Sequence, residues 1–129
     1  MVKPWALISE VGGEQGYLEE LADLVKQHFR IVCYRELLHD PQLYAPKIEA
    51  MFVWKFSPAA EPTLLQTLPN LKVIASGGVG VDHLNLPFIA SLGVKVANTP
   101  GVVSAATADI AMALLLSSAR KILEGKIVA

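Results

Sequence analysis

The strongest constraint on the fold is an alternation that runs along the chain about five times: a short apolar run, then a helix-length amphipathic or turn-rich segment. A strand buried on both faces of a parallel sheet has no polar side, and the segment that carries the chain back to the next strand must be amphipathic to pack on that sheet. The alternation therefore predicts an α/β fold, a five-stranded parallel sheet with helices on both faces. Trp5 to Ser9 reads as the first strand, Gly12-Gly13 as a turn, and Tyr17 to His28 as a helix with Leu18, Leu21, Leu24 and Val25 on one face. Ile31 to Tyr34 is the second strand. A polar connection containing Pro41 and Pro46 leads to the third, Ala50 to Trp54, and Pro58 and Pro62 introduce a short helix over Thr63 to Thr67. Leu71 to Ser76 is the fourth strand. A short helix over Leu86 to Leu92, closed by Gly93 as a left-handed cap, leads to the fifth, Val94 to Ala97.

The last segment is of another kind. Asn98-Thr99-Pro100-Gly101 has turn chemistry, and Ser104 is placed to cap a helix from Ala105 to Leu123. Within it Ile110 to Leu116 is apolar all the way round, and such a helix must be covered on more than one side. One small sheet covers only one side, which places this helix at a boundary with a second domain or subunit. Residues Glu124 to Ala129 read as the start of a connection, so the sequence is expected to be the N-terminal piece of something longer. The expected organisation is a sheet domain over 1–103, a crossing helix over 104–123 and the beginning of a further domain over 124–129.

Size and charge remove several classes of function. With 129 residues, 53% of them hydrophobic and 18% charged, the chain can bury one substantial core. A formal net charge of -1 offers no electrostatic footprint for nucleic acid or for an anionic membrane surface. The apolar run at the N-terminus is too short for a secretory signal, and 110–116 is too short to span a bilayer. Cys33 is the single cysteine, so no disulfide forms within the chain, and its apolar neighbours suit a small buried side chain better than a reactive thiol. An intracellular, cytoplasmic protein is the expectation.

Function is expected to begin where the fourth strand runs into Ser76-Gly77-Gly78-Val79-Gly80-Val81-Asp82. Such a loop presents consecutive backbone N–H groups with little side-chain obstruction, which suits a small anion. Turns also need glycine, so the glycines alone do not name the ligand. The spacing is not that of a dinucleotide fingerprint, because His83 stands where a third glycine would fall, and no Lys-Ser or Lys-Thr pair is present for nucleotide phosphates. A smaller anion, such as a carboxylate or a lone phosphate, is the better fit.

Three motifs in order carry a resemblance. The run Leu71 to Asp82, then Gly93-Val94-Lys95-Val96-Ala97-Asn98-Thr99-Pro100-Gly101, then Thr107-Ala108-Asp109 with Leu114-Leu115-Leu116 and Arg120, resembles the N-terminal half of the D-isomer-specific 2-hydroxyacid dehydrogenases, in particular the glyoxylate and hydroxypyruvate reductase branch. The resemblance implies a flavodoxin-like, doubly wound substrate domain joined by a long apolar interdomain helix to a Rossmann domain that carries the nicotinamide cofactor, NADPH or NADH. It implies that the amides of Val79 and Gly80, with Gly78 beside them, hold the carboxylate of a small 2-oxo acid. It further implies that the arginine, carboxylate and histidine of the chemistry lie downstream of Ala129, so that no catalytic residue is expected here, this piece alone does not turn over, and a homodimer forms through the crossing-helix region. No metal is implied.

Around the loop, Lys55 is expected to add positive charge for a carboxylate, while Trp54 and Phe56 either shape the pocket or close the core. Ser76 offers a hydroxyl to the loop or to a backbone group at the strand end. Thr107 matches a family position that faces the nicotinamide, Asp109 favours the first turns of its helix, and Asp82 is expected to pin the loop by accepting hydrogen bonds. His28 is read as solvated or stabilised by the dipole at its helix end, His39 as part of a polar connection, and His83 as pointing along the next turn in preference to touching the cleft rim. A corepressor-like relative of the same architecture, using this domain to dock peptides, is the alternative to a reductase; it needs an apolar surface groove. A flavin-binding module is disfavoured by the single hydroxyl in Ser9-Glu10-Val11-Gly12-Gly13, and a phospho-acceptor receiver by Trp54 and Lys55 where an aspartate would stand.

Overall fold

A computed structural model describes residues 2–14, 16 and 18–128, the last three by their backbone alone. The chain divides into two compact units, Met1–Thr99 and Pro100–Ala129. The first holds five strands, β1 (Trp5–Ile8), β2 (Arg30–Cys33), β3 (Ile48–Val53), β4 (Val73–Ser76) and β5 (Lys95–Ala97), in one sheet of order β2-β1-β3-β4-β5. Every neighbouring pair is parallel. In the register between β3 and β4, Val53 lies opposite Ser76, so the chain leaves both strands at the same edge of the sheet.

Helices cover both faces, as the alternation predicts. One face is covered by α1 (Glu19–His28), whose Ala22 is buried against Ile8 with Leu21, Val25 and Phe52 around them. The other face carries the larger cluster, in which Leu7, Met51, Val53 and Ile74 of the strands meet Leu37 of α2 (Tyr34–His39), Leu65 of α4 (Pro62–Leu65) and Ile89 of α5 (Leu86–Ser91). Gly93 ends the α5 segment at φ +72, and its N–H donates to the Ala90 carbonyl at 2.9 Å, so the left-handed cap stands as expected.

Several local expectations are corrected. The helical face of α1 is built on Leu21, Ala22 and Val25; Leu24 is exposed, and Leu18 is the N-cap residue with extended backbone, outside the helical repeat. The expected start at Tyr17 lies outside the described residues. The stretch with Pro41 and Pro46 is a run of short helical turns, α2, α3 (Pro41–Tyr44) and a 3-10 turn (Ala45–Lys47), where the prolines occupy first-turn positions and the Asp40 carboxylate accepts the Leu43 N–H at 3.0 Å. That window looks polar in sequence because its turns bury at most one side chain each, Leu37 in α2, none in α3 and Ala45 in the 3-10 turn.

The second unit holds α6 (Ser104–Ala119) and α7 (Ile122–Val128). The residue at the N-cap of α6 is Val103, and Ser104 is already helical and caps nothing. The single helix expected to Leu123 breaks after Ala119, with Lys121 at φ 49, and the residues expected to open a connection continue as α7. The two compact units part after Thr99. The apolar side chains of α6 are exposed, Leu114 at 65%, alongside Ile110, Leu115 and Leu116. Among the described residues, no helix is long and apolar enough to cross a membrane.

Ile74 is fully buried in the central part of the sheet, so truncating it leaves a void between β4 and the covering helices. Ile74→Ala is expected to cost about 2–5 kcal/mol, read as a lowered midpoint of urea unfolding with an unchanged slope. Cys33 is half-buried, and burial first, then the Glu36 carboxylate that accepts the Cys33 N–H at 2.7 Å, pushes its thiol above its ordinary value. Because the folded state holds this proton more tightly than the unfolded chain, the contribution of Cys33 to stability is fully present below the ordinary thiol range and is lost as pH rises through the raised value. The measurable consequence is an iodoacetamide-alkylation midpoint higher in the folded chain than in urea, partly restored by Glu36→Gln. Equal midpoints in the two states would contradict this.

Candidate functional site

Open α/β sheets gather ligands at the carboxyl ends of their strands, and the glycine loop leaves the sheet at such an edge. The N–H of Gly77 donates to the Val53 carbonyl at 2.9 Å and is the last bond that continues the pairing of β3 with β4. A Cβ built on Gly77 would lie 2.6 Å from the Trp54 indole, closer than any side chain tolerates, so this position requires glycine for packing. Beyond it the carbonyls are tied back: Gly78 O accepts the Thr99 N–H at 2.9 Å, and Val79 O accepts from Asn98 Nδ2 at 2.8 Å. Among the described residues, no protein acceptor takes the N–H of Gly78, Val79 or Gly80. Donors left in this state are available to an acceptor from outside the loop.

The loop borders a cavity of about 540 Å³, whose walls include Gly78, Gly80, Ser76, Lys55, Phe56 and His83. Ser76 is 5% exposed, and its Oγ lies 3.2 Å from His83 Nε2. The His83 ring also meets the Phe56 ring edge-on, with centroids 5.0 Å apart. His83 thus turns back onto the end of β4 and joins the cavity wall, where the sequence reading had it pointing along the next turn. Nothing in the linear sequence pairs it with Ser76 or Phe56; both contacts come from the way the loop folds over the sheet edge. Asp82 also lines the cavity, but among the described residues it accepts no hydrogen bond, and the pinning expected of it is done by Asn98 and Thr99.

Lys55 and Phe56 form the tip of a tight turn after β3. Trp54 and Ser57 exchange two backbone hydrogen bonds, of 2.9 and 3.0 Å, and the two residues between them have φ 48 and 63. Positive φ at both central positions is the geometry of a primed hairpin turn, usually taken by glycine or asparagine, and it carries a local cost at a lysine and a phenylalanine. Strain of this kind gathers at functional sites. The Lys55 ammonium donates to the Glu14 carbonyl at 2.5 Å, so the charge expected to serve a ligand carboxylate is shared with the connection after β1. Trp54 is absent from the cavity wall; its indole lies over Gly77 and packs with the Ile8 and Ala22 cluster, which decides between the two roles open to it in the sequence. Val79 is absent from the cavity wall, and its side chain is 45% exposed.

The remaining candidates lie elsewhere. His28 and His39 are exposed in the last turns of α1 and α2. Thr107 belongs to the second unit, exposed in the first turns of α6, with its N–H donating to the Val103 carbonyl at 2.9 Å. Among the described residues, no group of His, Cys, Asp and Glu is placed to hold a metal ion. Nor do they build a dinucleotide site: the helix after the glycine loop starts only at Leu86, away from the glycines whose amides would need its N-terminus to grip a pyrophosphate.

Comparison with known proteins agrees with this architecture. The model of the D-isomer specific 2-hydroxyacid dehydrogenase catalytic domain matches residues 7–124. A glyoxylate reductase of Thermococcus litoralis is 49% identical over 61 residues, which are 47% of this chain and 18% of that protein. The glyoxylate reductase of Thermococcus onnurineus is 29% identical over 126 residues, 95% of this chain and 36% of its own length. Among solved structures, a 2-hydroxyacid dehydrogenase from Ketogulonicigenium vulgare superposes with a TM-score of 0.82 at 26% identity, covering 98% of this chain and 39% of that one. An NADPH-dependent glyoxylate/hydroxypyruvate reductase from Sinorhizobium meliloti, solved with NADP and malonate, superposes with a TM-score of 0.70 at 26% identity, covering 90% and 34%. The chain therefore spans well under half the length of the relatives it matches. With the sheet order, the glycine loop and a family match over most of its residues in agreement, this chain belongs to the D-isomer specific 2-hydroxyacid dehydrogenases.

Proposed function

We propose that this chain is the substrate-binding portion of an NAD(P)H-dependent reductase that converts small 2-oxo acids, glyoxylate, hydroxypyruvate or similar, to D-2-hydroxy acids. The observation that carries the reading is the set of amides of Gly78, Val79 and Gly80, without an acceptor among the described residues, beside a cavity large enough for a short metabolite. In this reading the amides hold the substrate carboxylate, and Ser76 with His83 presents polar atoms to the remainder of the molecule while Phe56 supplies an apolar edge. The nicotinamide supplies a hydride when bound. Thr107 is the one contact to it assigned to this chain, and the greater part of the cofactor is held by residues outside those described. The arginine, carboxylate and histidine of the chemistry are likewise placed outside, so the chain alone binds weakly and does not turn over. A cytoplasmic location belongs to the same proposal.

A corepressor-like, peptide-docking role has one observation in its favour. An apolar groove of about 270 Å³ lies between α2 and α4, lined by Leu37, Leu38, Pro41 and Leu64 among others. It carries no feature that selects a peptide, whereas the amide cradle selects for an anion, and the reductase reading is preferred.

Two outcomes test the proposal. Titrating glyoxylate into the isotope-labelled chain is expected to move the amide signals of Gly78, Val79 and Gly80 together, with hydroxypyruvate acting at the same signals. Gly80→Pro deletes one donor and is expected to weaken binding about tenfold, with the core signal of Ile74 as the check on folding. Silence at the three amides while the core stays folded would remove the cradle. The exposed apolar face of α6 is proposed to be covered in a homodimer, so sedimentation is expected to give a mass of two chains, reduced to one by Leu115→Glu. A native chain that sediments as a monomer would count against that pairing.

A further inference from the structure

A second cavity, of about 350 Å³, lies at the carboxyl end of the sheet and is distinct from the one beside the glycine loop. Its walls are Ser9 and Glu10, which follow β1, Tyr34, Arg35 and Leu38 of α2, which follows β2, and Ser57 from the turn after β3. Its position is informative. In the order β2-β1-β3-β4-β5 the chain winds one way from β1 to β2 and the other way from β3 onward, so the strand order reverses between β1 and β3. A crevice opens there in open α/β sheets, and it is the general place for a ligand.

Two further observations show that the crevice is equipped. Among the described residues the Ser9 hydroxyl has no hydrogen-bond partner, although Ser9 is only 8% exposed, and burying a hydroxyl without a partner is costly unless something enters to bond it. Arg35 and Glu10 face the same cavity with opposite charges, yet among the described residues neither makes an ion pair, with each other or with any other side chain. A cation and an anion that share a small cavity without meeting leave room for a molecule that carries both charges. A plain anion would gain Arg35 but meet Glu10, and a plain cation the reverse. Leu38 and the Tyr34 ring add an apolar wall.

We propose that this cavity binds a small zwitterion, a free α-amino acid with a short aliphatic side chain. Its carboxylate pairs with the Arg35 guanidinium, its ammonium with the Glu10 carboxylate, and the Ser9 hydroxyl bonds the carboxylate from the cavity floor. The aliphatic side chain lies on Leu38 and Tyr34. The site stands independently of the 2-oxo acid reading, because it shares no lining residue with the cavity of the glycine loop.

The test is a titration of the isotope-labelled 129-residue chain with L-valine, and separately with its two single-charge halves, isovalerate and isobutylammonium. Valine is expected to move the amide signals of Ser9, Glu10, Arg35 and Ser57 saturably, and each half to bind about tenfold more weakly or not at all. Arg35→Gln and Glu10→Gln each remove one charge from an exposed position and are expected to weaken valine binding about tenfold, leaving the core signals in place. Valine without effect on those amides overturns the proposal. So does isovalerate binding as tightly as valine, which would make the cavity a simple anion subsite, or isobutylammonium doing so. Glyoxylate, followed in parallel at Gly78 to Gly80, reports on the other cavity alone, so the failure of one assignment is distinguishable from the failure of the other.

Discussion

Two hydrogen bonds from the end of β5 hold the candidate site open. Asn98 Nδ2 and the Thr99 N–H take the carbonyls of Val79 and Gly78, and a peptide unit whose carbonyl is fixed on one side presents its N–H toward the other. A neutral hydrogen bond contributes only about 1 kcal/mol to stability, so the pair matters less for holding the protein together than for orienting the loop. Had these carbonyls been free, the loop could have turned its own amides onto them and closed. β5 is short and sits at the edge of the sheet, yet its exit is what keeps the amides next to β4 unpaired.

The sheet was legible because strands buried on both faces leave no ambiguity of period. Ile8, Met51 and Ile74 sit within runs of strand length bounded by turn residues, which sets them apart from the longer apolar window at 110–116. What was not legible was the helical content of residues 34–47. Turns that short bury at most one side chain each, and two of the three carry a proline in their first turn, so neither hydrophobic period nor helix propensity marks them. The apolar window at 110–116 had the opposite difficulty. It was read correctly as helix, but a sequence apolar on every side carries no information about where that helix stops, and the break at Arg120 and Lys121 rests on backbone geometry that no residue type announces.

At the site, the glycine loop and Ser76 were readable, whereas the wall opposite them was not. His83 and Phe56 are far apart in sequence and meet only because a two-residue turn after β3 and the loop after β4 leave the same edge of the sheet. Lys55 looked like an available charge because sequence cannot show that a carbonyl from the β1 connection lies within its reach. Asn98 had turn chemistry and was read as nothing more. Its side chain acts at a distance of nineteen residues, which no local rule detects.

The close approach of Trp54 to Gly77 bears on how such loops should be compared between relatives. One glycine of the cluster answers to an indole on the far side of the backbone, while Gly78 has open space where a side chain would sit. A bulky aromatic at the end of the third strand and a glycine directly after the fourth are thus a single steric unit, expected to drift together: shrink the ring and the first glycine loses its reason to be there, though the neighbours that face the cavity do not. Counting glycines overstates how much of the motif belongs to recognition, because part of its spelling is dictated by packing behind it.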